Sequence, residues 1–199
     1  MTGKLEGKRV ALLVTDGFEQ AELTLPKAAL EREGAVCDVV APKEGTVKGW
    51  KHAAWGEEIA IDVPLSQASP DDYDALVLPG GVASPDALRV EPEVLRFVRR
   101  FFSAGKPVAA IGHGPWTLID AGVVEGRRMT SWLSVRTDLV NAGAEWIDAE
   151  VVVDDGLITS RRAADLRAFG AKLVEEVAEG RAALRRPSRG APPRPAEGR

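Results

Sequence analysis

The sequence predicts an α/β fold: a flavodoxin-like three-layer sandwich with a mostly parallel central sheet and a small side hairpin. Three observations carry that expectation. Short runs rich in valine, leucine and alanine read as strands buried on both faces, as in parallel sheets. Stretches with apolar residues at helical spacing separate them. Glycine-rich turns close several of the runs, where a parallel sheet hands the chain to a helix.

Residues 9–14 (RVALLV) are the first such run, followed by a turn through Thr15, Asp16 and Gly17. Residues 19–33 place Ala21, Leu25, Ala28, Ala29 and Leu30 at helical spacing, with Gly34 as the stop. Pro26 interrupts that pattern and predicts a kink or a late helix start. Residues 35–41 (AVCDVVA) are the second strand. Residues 47–50 and 58–63 read as a side hairpin around a tryptophan-containing turn. Residues 74–78 (DALVL) form another strand, stopped by Pro79, Gly80 and Gly81. A helix over 92–104 leads to strand 107–111 (PVAAI), which runs into Gly112, His113 and Gly114. Helical residues follow to Ala121. A short strand at 129–131, a helix near 135–141, a hairpin of 151–153 with 157–159, and a last helix over 164–179 complete the pattern.

Residues 1–180 thus read as one domain. Residues 181–199 hold the helix end and a basic Pro/Arg-rich tail, expected to be disordered, with six arginines against one glutamate. Over all 199 residues, 26 Lys+Arg meet 30 Asp+Glu for a net charge of −4, which argues against a broad nucleic-acid-binding surface. No apolar run reaches the roughly 18 residues that span a bilayer. A cytoplasmic protein without membrane or nucleic-acid partners is the expectation. One cysteine, Cys37, and two histidines, His52 and His113, leave no intramolecular disulfide and no Cys/His zinc set, so no metal is expected. No GxGxxG follows a strand, and no nucleotide or flavin cofactor is expected.

Ligands of open parallel sheets bind beyond the carboxyl ends of the strands. Three glycine-bearing loops reach that edge: residues 16–19, 79–81 and 112–114. Each alone could be a tight turn and nothing more. Together they favour a pocket. Residues 112–116 have the strand, sharp turn and helix start of a nucleophile elbow. Gly112 suits the backbone of such a turn and has no side chain to attack with.

The segment AAIGHGPWTLIDAGVVEGRRMTSW, followed by RTDLVNAGAEWIDAEVVVDDGLITSR, resembles the ThiJ/PfpI (DJ-one/PfpI) family, close to its PfpI-type intracellular peptidase and deglycase branch, in the class I glutamine amidotransferase-like superfamily. DGFEQAELTLP and VLPGGVASPDALR share the resemblance, which runs from about Arg9 to Val177. It implies a dimer or hexamer of this chain and a stress-related cysteine hydrolase acting on small carbonyl adducts or peptides. The family elbow reads Ala-Ile-Cys-His-Gly-Pro, so the cysteine position is Gly112 and the histidine is His113. By resemblance, Glu19 matches the acid that hydrogen-bonds the thiol. Asp86 matches the acid that reaches a neighbouring subunit's histidine in hexamers. Gly80 and Gly81, with Gly112 and His113, match the oxyanion hole. A missing thiol implies impaired catalysis in a pocket kept for binding a small molecule. The alternative is an active family hydrolase or deglycase of small carbonyl adducts, if Gly112 is not the native residue or another group substitutes. Cys37, inside a strand, reads as inert core; Thr15, Ser84, Thr130 and Ser131 are the hydroxyls near the edge. His52 reads as a surface residue, and Trp50 and Trp55 as interface or sheet-edge cover.

Overall fold

A computed structural model describes residues 3–180; the expected disordered tail over 181–199 lies outside them. The central sheet has seven strands in the order β11-β12-β8-β7-β1-β3-β6. These are β1 (Arg9–Leu13), β3 (Val36–Ala41), β6 (Val63–Pro64), β7 (Ala75–Leu78), β8 (Val108–Ile111), β11 (Val151–Asp154) and β12 (Leu157–Ser160). All neighbours run parallel except β11 with β12, which form the hairpin expected around Asp155 and Gly156.

Strand alternation divides the core into two layers. Ala11 and Leu13 of β1 face Phe97, Phe101, Leu118 and Leu139, on the side of helices α2 (Ala83–Leu88), α3 (Pro92–Ser103), α4 (Pro115–Asp120) and α5 (Arg136–Asn141). Val10 and Leu12 face Leu23, Leu30, Phe169 and Leu173, on the side of α1 (Gln20–Arg32) and α6 (Leu166–Glu179). The result is the expected three-layer sandwich.

Several local expectations need correction. α1 starts at Gln20 and continues through Pro26, so proline does not delay it. Its missing N–H removes one helix bond, and burial of Pro26 among the core-facing residues of α1 offsets that loss. The hairpin strands are β4 (Thr46–Lys51) and β5 (Ala54–Ala60). The expected strand over 58–63 is split, because Val63 pairs with Val40 and so belongs to the central sheet as β6. β2 (Phe18–Glu19) adds to β4 and makes the hairpin a three-stranded side sheet. The short strand expected at 129–131 is β9 (Arg128–Met129), and it pairs with β10 (Glu145–Trp146). α2, β2 and β10 were not foreseen; each is too short to show a period in sequence. Among the described residues no helix is long and apolar enough to cross a membrane.

Candidate active site

β8, β7 and β1 are adjacent in the sheet, so the loops leaving their carboxyl ends meet at one edge. Main-chain bonds tie them together. The Glu19 N–H donates to the Gly80 carbonyl at 3.1 Å, and the Gly17 N–H to Lys48 of the side sheet at 2.8 Å. The Trp132 N–H donates to the Gly112 carbonyl at 2.9 Å.

The elbow is at Gly112, buried and held at φ +62°. This left-handed conformation costs a residue with a Cβ about 1–2 kcal/mol. A Cβ placed on Gly112 would have as its three nearest neighbours the Oε2, Oε1 and Cδ atoms of Glu22, at 2.9, 3.1 and 3.4 Å. Any side chain at the elbow would therefore project onto the Glu22 carboxyl.

Sequence reasoning passed over Glu22. It lies in the first turn of α1, only 5% exposed, and its Oε2 accepts the Gly80 N–H at 2.9 Å. Burial pushes its pKa up to about 8; the Gly80 hydrogen bond opposes the shift and the nearby Glu19 charge adds to it. At neutral pH it is therefore a carboxylic acid with a proton to donate. Glu19, matched by resemblance to this role, sits one turn earlier and half-buried at the N-cap of α1. Burial raises its pKa, and His52 from the β4–β5 hairpin acts against that shift. The carboxyl at the elbow is that of Glu22, not Glu19. The missed signal was periodicity: Glu22, Pro26 and Leu30 share one buried stripe at i, i+4 and i+8, and an acid on the core face of a helix is a candidate for perturbed protonation.

His113 follows the elbow. Its ring packs edge-on against Trp116 at 4.9 Å and stacks with Trp132 at 6.3 Å between centroids. Its Nε2 lies 3.2 Å from Ser134 Oγ, and burial lowers its pKa, so the ring is neutral at pH 7. Asp86 stands exposed in the first turn of α2, and among the described residues no hydrogen bond joins it to His113.

The four candidate oxyanion amides divide in two. The Gly80 N–H is engaged by Glu22, and the Gly112 N–H donates to the Ser160 carbonyl at 3.1 Å. The N–H groups of Gly81 and His113 have no acceptor among the described residues. The His113 nitrogen comes within 2.9 Å of where a Cβ on Gly80 would stand, which requires glycine there. Gly81, at φ +83°, would drive a Cβ to 2.5 Å from both Glu19 N and Gly17 O.

Among the described residues, none of the other sulfur and oxygen candidates has a side-chain hydrogen bond to Gly112, His113 or Glu22. Cys37 pairs with Val10 inside β3, and burial pushes its thiol up to about 12. The Ser84 hydroxyl is buried and accepts the Thr15 N–H at 2.9 Å. Ser131 Oγ accepts Trp146 Nε1 at 3.0 Å. Thr130 Oγ1 is buried without a hydrogen-bond partner. Trp50 and Trp55 stack edge to face at 5.4 Å on the side hairpin, and His52 is exposed at its turn with φ 58°. No group of three or more His, Cys, Asp or Glu among the described residues is placed to hold a metal ion. A cavity of about 220 Å³ shares the Trp132 wall and is also lined by Trp146, Arg161 and Arg162.

Comparison with known proteins gives consistent results. The model of the DJ-1/PfpI family matches residues 8–176. A deglycase of Pyrococcus abyssi is 43% identical over 167 residues, covering 84% of this chain and 98% of that protein. Protein/nucleic acid deglycase 2 of Escherichia coli is 44% identical over 164 residues, covering 81% and 93%. Among solved structures, Drosophila melanogaster DJ-1beta superposes with a TM-score of 0.79 at 31% identity, over 86% of this chain and 90% of that one.

Proposed function

The chain belongs to the DJ-1/PfpI family, and on that premise we propose that it keeps the family's elbow pocket as a binding site without thiol catalysis. One observation carries the reading: Gly112 occupies the elbow at a left-handed φ, with the Glu22 carboxyl where a side chain would point. A cysteine enzyme works through its thiolate, which forms a thiohemiacetal or an acyl-enzyme. A hydrogen in that place forms neither. What remains is a glycine-bearing turn with a proton donor, two main-chain donors and a neutral histidine beside it. That set suits a small anion or carbonyl compound held without covalent attachment. A stress-related binding role in the cytoplasm and a homo-oligomer, dimer or hexamer, belong to the same proposal. Exposed Val82 and Val90, at either end of α2 with Asp86 between them, offer apolar surface for that assembly.

A second reading rests on Glu22. Both relatives compared above carry the name deglycase, and a carboxylic acid at neutral pH can act as general acid without sulfur. One experiment separates the two. Purified protein is assayed for consumption of glyoxal and methylglyoxal and for peptide hydrolysis. The first reading expects no turnover above the uncatalysed reaction. Turnover that collapses in Glu22→Gln establishes the second. Turnover at the rate of a thiol-bearing relative overturns the first.

A further inference from the structure

The elbow offers a ligand donors, and that limits what it can hold. Oε2 of Glu22 already accepts the Gly80 N–H, so the proton of this acid is available to a group lying over Gly112. The Gly81 and His113 N–H groups have no acceptor among the described residues. The point where a Cβ on Gly112 would stand lies 2.9 and 3.1 Å from the two Glu22 oxygens, too close for carbon and within hydrogen-bond range for a ligand oxygen. A ligand bringing its own N–H or O–H would set donor against donor, and an unsatisfied buried donor costs about 1–3 kcal/mol. A carboxylate has only acceptors, two oxygens set to take several donors.

We propose that the elbow of this chain is a binding site for the carboxylate of a small organic acid, one oxygen over Gly112 against the Glu22 carboxyl and the other on the main-chain donors of Gly81 and His113. The inference rests on the thiol-free reading above and names its ligand class. No bond is made or broken, so the acid is bound and released unchanged. Binding is coupled to protonation. The ligand stays charged throughout the neutral range, and it meets a neutral partner only while Glu22 keeps its proton. The ionisable groups around Glu22 fit this arrangement. Glu19 on β2 disfavours a second charge there. His113 is held neutral by burial. Asp86 on α2 is exposed, and Arg161 after β12 is tied to Asp165 and Asp148.

The test is a calorimetric titration of the full chain with sodium pyruvate and sodium acetate at constant ionic strength. Propionamide, similar in shape and carrying N–H donors, is the control. Saturable binding of the acids near pH 6 is expected, weakening at least about tenfold by pH 9 as Glu22 ionises. Propionamide binds at least about tenfold more weakly than acetate. Glu22→Gln keeps a donor and an acceptor at that place and binds acetate without the fall toward pH 9. Gly112→Ala, whose Cβ would stand 2.9 Å from Glu22 Oε2, loses binding while its circular dichroism matches that of the parent. Absence of saturation by either acid up to about 100 mM, or an unchanged pH dependence in Glu22→Gln, overturns the proposal. Failure here leaves the thiol-free reading intact, because that reading is judged by turnover of glyoxal and not by binding.

Discussion

Glu22 sets a burial cost against a hydrogen bond. Its pKa moves from 4.5 to about 8 in the fold. The folded value is raised, so its stabilising contribution is fully present below the ordinary carboxyl range and is lost as pH rises through about 8. Glu22→Gln removes that loss. In urea melts the variant is expected to exceed the parent by about 4 kcal/mol near pH 8 and by nothing near pH 4. Equal stability at both values would mean that Glu22 is ionised in the fold. At this scale the sequence was half legible. Gly112, His113 and the glycines of the β7 loop could be read from their order after strands. The choice between Glu19 and Glu22 could not, because two acids three residues apart lie near one face of a helix. The structure puts Glu22 on the buried face of α1, against Gly112, and leaves Glu19 half-buried at the N-cap.

Among the elements, the side sheet is joined to the site through α1. Gln20 is buried, and its Oε1 accepts the Glu57 N–H at 2.9 Å. Gly56 leaves it room, since a Cβ there would fall within 2.0 Å of that oxygen. Gln20→Ala leaves the Glu57 N–H without its acceptor and is expected to cost about 1–2 kcal/mol. Amide exchange should quicken first in β4 and β5 and leave β7 and β8 protected. Uniform acceleration would contradict the hairpin's being held through this bond. The strands of the central sheet were legible because burial on both faces demands unbroken apolar runs. The hairpin's limits were not. The register shift between Lys48 and Trp50 breaks the alternation from which strand ends are read, and the chain then leaves for the central sheet at Val63.

For the whole molecule, the strand order explains why a pocket was legible before any contact was known. β1, β7 and β8 are far apart in sequence and adjacent in the sheet, so their three glycine-bearing turns had one place to meet. Assembly was not legible, because a partner surface leaves no period in sequence; the account expects a dimer or hexamer by light scattering, and a monomer at working concentration would contradict it. The central claim is that this fold presents an elbow without a nucleophile. It is tested most directly by comparing methylglyoxal consumption by the parent protein and by Gly112→Cys in one assay. The account predicts no turnover by the parent, and in the variant a peroxide-sensitive thiol that confers turnover, provided that the Glu22 carboxyl yields the few tenths of an ångström the new Cβ requires. Thiol-free turnover by the parent, undiminished relative to the variant, would contradict it.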